Sequence, residues 1–132
     1  MKDIIWKYVK PLAEDGSIAE YEALSGSSLP DDLKNVIRTY NGGRPSLRYY
    51  DLPKEKDKEF KSLLSFNRVN VENVFSCYPL DSADKALVPF AIDPAGNFFV
   101  IKEGKIYLWL HETDKTVFVA DSFPAFLESL HD

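Results

Sequence analysis

Residues 87–120 read LVPFAIDPAGNFFVIKEGKIYLWLHETDKTVFVA, and this stretch decides the predicted fold. It contains four runs rich in β-branched and aromatic residues, and short turn signals separate the runs. The predicted strands cover Leu87 to Ile92, Asn97 to Lys102, Ile106 to His111 and Thr116 to Ala120. Links this short cannot hold the crossover that parallel strands need, so we expect an antiparallel meander.

The first link has the composition of a type I β-turn, with Asp93 first, Pro94 second and Gly96 fourth. The Asp93 carboxylate can accept a nearby backbone N–H, and Gly96 can adopt the left-handed conformation of a bulge. Asp93 and Asn97 offer too few oxygens for a cation such as calcium, which takes about six to eight. We interpret the link as a structural turn, and whether its tip also contacts a partner stays open.

The N-terminal segment carries a helical pattern. Ile5, Tyr8, Val9 and Leu12 recur at helical spacing, and Pro11 is expected to end this helix near Val9 or Lys10.

Two further helices are predicted before the strands. Ser17 and Glu20 form a capping box at the start of the first of them. The residues Leu29, Pro30, Asp31 and Asp32 open the next helix, with Pro30 in the first turn, where its missing N–H costs nothing. The sequence Asn-Gly-Gly at residues 41–43 ends it, since glycine reaches the left-handed cap without strain.

The rest of the chain supplies more elements. Residues 47–52 and 60–66 are predicted strands, and the mixed-charge segment 53–59 between them is read as a solvated loop. Asn70 is expected to cap a short helix that carries Val71 on its apolar stripe. A final helix is capped by Asp121 or Ser122. Its apolar stripe comprises Phe123, Phe126, Leu127 and Leu130.

The element order predicts an α+β fold. We expect residues 1–132 to form one domain, with a mostly antiparallel β-sheet of five to six strands packed by N-terminal and C-terminal helices.

Composition narrows the function classes. The chain has one cysteine, Cys77, so neither a disulfide framework nor a cysteine metal cage is expected, and a cytoplasmic location fits. No apolar run has the length of a membrane span, and the charged first ten residues are unlike a secretion signal. We therefore expect no membrane association.

The charge is unevenly distributed along the chain. Residues 1–80 carry 12 acidic and 12 basic side chains, whereas residues 81–132 carry 9 acidic and 4 basic ones. No basic cluster is interleaved with aromatic residues, which disfavours direct binding of nucleic acid. The acidic C-terminal part is compatible with a basic protein partner, or it simply keeps the domain in solution.

No arrangement of reactive residues predicts an enzyme or a bound cofactor. The two histidines, His111 and His131, lack metal-ligand spacing, and no nucleophile is marked beside His111. Cys77 reads as a buried, inert thiol. A separate hypothesis, in which the protein is an enzyme, pairs His111 with Glu112 or Asp93 in catalysis.

The strand with Tyr107 and Trp109 carries rings on both sides. Either one side covers the core and the other stays partly open for a partner, or helices cover both sides.

Several segments together resemble the SUKH superfamily. They are IAEYEALSGSSLPDDLKNVIRTYNGGRP at residues 18–45, LVPFAIDPAGNFFVI at 87–101, IYLWLHE at 106–112 and VADSFPAFLESL at 119–130. The family commonly has an aspartate between its Trp and His, where this chain has Leu110. The motif residues read as structural are Leu29, Pro30, Tyr40, Asn41, Gly42, Gly43, Pro45, Pro94 and Gly96.

This resemblance implies a single α+β domain without catalytic residues or cofactor, present as a monomer or weak dimer. It implies a cytoplasmic bacterial immunity protein that neutralises a cognate toxin, such as a nuclease, by binding it. The alternative is a regulatory or scaffold module like the related fungal regulators of cell-wall glucan synthesis. The residues predicted to bind the partner are Tyr107, Trp109, His111, Glu112, Asp93 and Asn97.

Overall fold

The computed structural model describes residues 3–132 of the chain. Helices and strands alternate irregularly up to residue 77, and a run of four strands and a helix completes the chain. The helices are α1 (Ser17–Ser25), α2 (Asp31–Tyr40), α3 (Val74–Cys77) and α4 (Phe123–Ser129). The strands are β1 (Trp6–Lys7), β2 (Arg44–Pro45), β3 (Tyr49–Tyr50), β4 (Lys58–Glu59), β5 (Ser62–Leu63), β6 (Val88–Ile92), β7 (Phe98–Lys102), β8 (Lys105–Leu110) and β9 (Lys115–Ala120).

The central sheet is antiparallel throughout, with the strand order β5-β6-β7-β8-β9. The four strands predicted from residues 87–120 form its larger part, so the meander and the α+β class are confirmed. Register places Val100 opposite Tyr107, and Tyr107 opposite Phe118. Within residues 3–132, no helix has the length and apolar character needed to cross a membrane.

The predicted N-terminal helix is wrong. Trp6 and Lys7 instead form strand β1, which pairs with β2. The backbone of Ile5 exchanges hydrogen bonds with Ser46, whose Oγ accepts the Ile5 N–H and whose N–H donates to the Ile5 carbonyl. Tyr8 has a φ of +57°, which no right-handed helix contains. The helical spacing was misleading because Ile5 and Tyr8 are exposed, so they form no buried stripe.

Two predicted helix caps are also wrong. Gly16 precedes α1 at the cap position, and no side chain caps that helix. Asn73, and not Asn70, caps α3 by accepting the N–H of Ser76 at 2.9 Å. Val71 lies outside α3 and is 95% exposed. The cap of α4 is confirmed at the second of the two candidates, since Ser122 Oγ accepts the N–H of Ala125 at 3.1 Å.

Helix α2 ends as predicted, but Pro30 precedes its first turn instead of lying in it. Pro30 occupies the cap position, Leu33 and Ile37 are buried, and the helix ends before Asn41. Gly43 must be glycine because a Cβ there would lie 2.9 Å from the carbonyl oxygen of Tyr40 and 3.3 Å from the Trp6 ring. The segment 47–52 contributes only the short strand β3, and β4 takes the last two residues of the predicted loop 53–59.

The Asn41 side chain joins three separate segments. It is 1% exposed. Its Nδ2 donates to the carbonyl of Lys10 at 2.8 Å and to Ser65 Oγ at 3.0 Å, while its Oδ1 accepts the N–H of Phe66 at 2.8 Å. The N-terminal segment, the end of α2 and the chain after β5 are thereby held together.

The main core lies between the helices and one face of the central sheet. Its centre is aromatic: Tyr50, Phe60, Phe99 and Phe126 have ring centroids 4.9–5.8 Å apart. All four rings are essentially inaccessible to water.

Two buried tyrosines differ in how their hydroxyl groups are satisfied. Tyr21 donates to the carbonyl of Pro89 at 2.7 Å. The Tyr50 hydroxyl is buried without a hydrogen-bond partner among the described residues. Burial raises the pKa of both phenols well above the usual range.

We expect Tyr21→Phe to lower the free energy of unfolding by about 1–2 kcal/mol, because the carbonyl of Pro89 loses its buried donor. Tyr50→Phe should be neutral or stabilising by about 1 kcal/mol, since it removes a buried polar group that has no partner. Urea unfolding of the two variants measures both values. Equal destabilisation by the two substitutions would contradict the expectation that hydroxyl pairing separates these positions.

Candidate functional site

The face of the sheet opposite the main core carries the candidate site. Strands β7, β8 and β9 place Phe98, Tyr107, Trp109 and Phe118 on this side, and we call these four residues the aromatic face. Phe98 stacks on Trp109 with ring centroids 6.2 Å apart, and Tyr107 meets Phe118 edge to face at 5.8 Å.

One half of the aromatic face is closed. Trp109 packs with Leu80, Leu87 and Val100 in a small second core and is only 4% exposed. Its Nε1 donates to Asp114 Oδ1 at 2.7 Å. The segment 79–87 therefore covers this half of the sheet.

The other half of the aromatic face is open. Tyr107 is half-buried and Phe118 is 48% exposed. Of the two arrangements that the sequence allowed for this strand, the partly open one is found. Sequence reasoning did not select Phe118, although alternation along β9 puts it on the side away from Val117 and Val119.

Two of the six predicted partner-binding residues are buried. Trp109 is buried in the second core, and Asp93 is 7% exposed. A partner can reach little of either side chain, so the prediction is corrected for these two on grounds of access. It stays a prediction for Tyr107, and for His111, Glu112 and Asn97 at the hairpin tip.

The Asp93 carboxylate organises the turn between β6 and β7, as predicted. Its Oδ1 accepts the N–H groups of Ala95 at 2.9 Å and Asn97 at 2.8 Å, and its Oδ2 accepts Asn97 Nδ2 at 3.2 Å. The N–H of Gly96 donates to the Asp93 carbonyl, and Gly96 has a φ of +86°. Asp93 is thus used by the backbone rather than presented to a ligand.

Asn97 links this turn to the end of β8. Its Oδ1 accepts the His111 N–H at 3.2 Å and lies 2.7 Å from His111 Nδ1. Because an amide oxygen only accepts, this contact places a proton on Nδ1. Glu112 Oε1 lies 3.9 Å from His111 Nε2 and is largely exposed. These residues, with Ala95, border a shallow surface cavity of about 250 Å³.

A group with possible metal ligands lies elsewhere, at the C-terminal end of the chain. Oxygens of Asp51 and Asp57 and a nitrogen of His131 lie within 4.8 Å of one another. His131 Nε2 is 3.2 Å from Asp51 Oδ1, which is ion-pair geometry. Hydrogen bonds with the Asp132 backbone and with Asp51 raise the pKa of His131, so a proton competes for the nitrogen that a metal would use. The long sequence separation of Asp51 and His131 hid this group from sequence reasoning.

Cys77 is less buried than the sequence predicts. It lies in α3 and is half-buried, and burial raises the pKa of its thiol to about 11. At neutral pH the thiol is therefore protonated and a poor nucleophile.

Asp114 fastens the covering segment 79–87 to the sheet. Its Oδ2 accepts the N–H of Ala83 at 2.9 Å, while its Oδ1 accepts from Trp109. Hydrogen bonds from the Ala83 backbone, the Ser82 hydroxyl and the Trp109 indole lower the Asp114 pKa to about 2. The Asp114 carboxylate, in the turn between β8 and β9, thus holds the segment 79–87 over the second core.

We expect Asp114→Asn to lower stability at neutral pH and to flatten the acid limb of the stability curve. A lowered folded-state pKa gives stability that is present above the unfolded value of about 3.9 and is lost as pH falls toward 2. Urea midpoints measured from pH 7 to about 3 should therefore converge for the two proteins. Asp15→Asn, at an exposed position, is the control, and a constant offset between Asp114→Asn and the unchanged protein contradicts the expectation.

One of two comparisons with known proteins identifies a family for this chain. No curated protein matches the sequence. A family model, described as the SMI1 / KNR4 family (SUKH-1), matches residues 12–129. The matched residues run from just before α1 to the end of α4 and include the central sheet. The chain therefore belongs to the SMI1/KNR4 family (SUKH-1).

Proposed function

We propose that this protein is a non-enzymatic immunity protein that binds a cognate toxin in the cytoplasm and neutralises it. The observation that carries the proposal is the open pair of Tyr107 and Phe118 on a paired sheet. Exposed aromatic side chains often anchor protein–protein interfaces. Membership of the SMI1/KNR4 family supports a protein-binding role in general.

The aromatic pair suits an interface because its geometry is fixed before binding. Tyr107 and Phe118 are directly opposite each other on β8 and β9, so their backbones are held by the strand ladder. Their rings contact each other edge to face. Little conformational entropy is then lost when a partner covers them, and more of the contact energy remains as affinity.

Charge in the C-terminal part favours a basic partner. Residues 81–132 carry 9 acidic and 4 basic side chains. Lys102 Nζ lies 2.6 Å from Asp84 Oδ2, and Lys105 Nζ lies 3.4 Å from Asp121 Oδ1, so two of the four lysines are offset within the chain. A nuclease, whose substrate site must attract phosphate, is a toxin of suitable charge.

Binding without catalysis is part of the proposal. A general base needs a free acceptor within reach of the reacting proton. The Asp93 carboxylate instead accepts the turn N–H groups of Ala95 and Asn97, so it is not free to act as a base.

The alternative function is a regulatory or scaffold module like the fungal regulators that the family resembles. The name of the matching family, SMI1 / KNR4, supports this regulatory alternative as well. The two functions differ in binding: an immunity protein forms one tight complex, whereas a scaffold binds several partners weakly.

The test is co-expression with the toxin encoded beside this gene, read out as cell survival and as a purified complex. We expect Phe118→Asp to weaken the complex about thirtyfold or more, as loss of an interface anchor of about 2 kcal/mol requires. Isothermal titration calorimetry of the toxin against the variant measures this change.

Val71→Asp is the matched control, because Val71 is an exposed apolar residue that lies before α3 and outside the aromatic face. It should bind the toxin as the unchanged protein does. Continued cell death with no complex by pull-down contradicts the immunity function. A tight complex that Phe118→Asp leaves unaltered contradicts the assigned surface only.

A further inference from the structure

The two-stranded ribbon of β1 and β2 lies outside the central sheet and turns one side to solvent. Register places Lys7 directly opposite Arg44, and Trp6 opposite Pro45. Trp6 packs against the main core and Pro45 is buried, so this pair forms the inner side of the ribbon. Because side chains alternate along a strand, Lys7 and Arg44 lie together on the outer side, where both are exposed.

Two apolar side chains lie beside these cations. Ile5 is two residues before Lys7 and therefore on the same side of the strand, and it is 66% exposed. Tyr8 is 72% exposed, and Arg44 Cζ lies 5.6 Å from the centroid of its ring, which is a cation–π contact. We call Ile5, Lys7, Tyr8 and Arg44 the cationic face.

The two charges of the cationic face are not neutralised within the described chain. Among residues 3–132, neither Lys7 nor Arg44 forms an ion pair with a carboxylate. Like charges directly opposite each other on paired strands destabilise the pairing. An anionic group placed between the two cations would remove this repulsion and gain two attractive contacts.

The backbone at Tyr8 carries a second local cost. Its φ of +57° lies in the left-handed region, which residues with a bulky side chain rarely adopt. Strain of this kind clusters at ligand-binding positions. The Tyr8 ring is mostly exposed, so burial of the side chain offsets little of the cost. The like-charge pair and the strained tyrosine thus coincide on one small surface, and the stability of the fold accounts for neither.

We propose that the cationic face binds a partner protein through a short segment in which glutamate or aspartate lies next to a large apolar side chain. The carboxylate binds between Lys7 and Arg44, and the guanidinium can hold both of its oxygens at once. The apolar side chain covers Ile5 and Tyr8. This site goes beyond the immunity function, because it lies outside the aromatic face and selects a partner of the opposite charge.

Charge favours an acidic segment of a protein over nucleic acid and over an anionic membrane. Both of these present many negative charges, whereas the cationic face offers two cations on a chain of net charge −5. Neutralising two phosphates gives little affinity at physiological salt. The acidic remainder of the surface repels an extended polyanion, whereas a short segment can contact the cationic face alone.

The test uses three fluorescent peptides of about ten residues. The first has two leucines flanked by glutamates, the second has lysines in place of the glutamates, and the third has serines in place of the leucines. We expect the first peptide to bind about tenfold more tightly than the others at low salt, and its preference over the second to shrink as salt screens the charges. Fluorescence anisotropy measures the affinity, and amide chemical shifts locate the site.

Variants of the cationic face separate binding from stability. Lys7→Gln with Arg44→Gln should weaken binding of the first peptide about tenfold without lowering the urea midpoint, because it removes a like-charge pair. Tyr8→Asn should weaken binding about threefold, also without lowering the midpoint, since asparagine tolerates a positive φ. Lys85→Gln with Lys115→Gln is the matched control, which removes two exposed cations from the covering segment and β9 and should bind normally.

Four results would overturn the proposal. Two are equal affinity for the glutamate and lysine peptides, and chemical-shift changes that avoid Ile5, Lys7 and Arg44. The third is tighter binding of a single-stranded oligonucleotide or an anionic vesicle that Lys7→Gln with Arg44→Gln abolishes. The fourth is a dimer in ultracentrifugation that the same double variant dissociates, which would assign the surface to acidic residues of a second copy. Because the peptide assay contains no toxin, its outcome is independent of the immunity function.

Discussion

The buried amide of Asn41 is the interaction on which the rest of the structure depends. It bonds at once to the Lys10 carbonyl, the Ser65 hydroxyl and the Phe66 N–H. A buried backbone group without a partner is costly, and this one side chain satisfies two of them, the Lys10 carbonyl and the Phe66 N–H, in two segments with little regular structure. The position at which α2 ends therefore also fixes the N-terminal segment and the chain that leaves β5.

The central sheet uses its two faces differently, and the proposed function is based on this difference. Phe99 on one face joins the aromatic core, whereas Val100, its neighbour in β7, packs under Trp109 on the other. The covering segment 79–87 lies over only one half of the aromatic face, where Asp114 accepts the N–H of Ala83. Tyr107 and Phe118 remain open beyond it, on a backbone that strand pairing keeps rigid. The proposed binding surface is the part of an otherwise complete second core that the chain does not cover.

Much of the fold was predictable because its signals are local. The strands from residue 87 to 120, the turn at Asp93 and the cap at Ser122 each depend on neighbouring residues alone. The prediction of an N-terminal helix failed for the opposite reason. Trp6 lies in a strand because it pairs with Pro45, which is far away in the sequence. The cap of α3 is likewise Asn73 and not the predicted Asn70. Sequence propensity cannot weigh such contacts, since they form only when distant segments meet.

The sequence by itself determined the α+β class, the order of the strands and the likeness to one family, since these are written in local periodicity and motifs. Only the tertiary structure decided which predicted residues a partner can reach. It buried Trp109 and Asp93 and exposed Phe118. Accessibility belongs to the whole packed molecule: a side chain is exposed or buried according to what lies over it, and the residues that lie over it are distant in sequence.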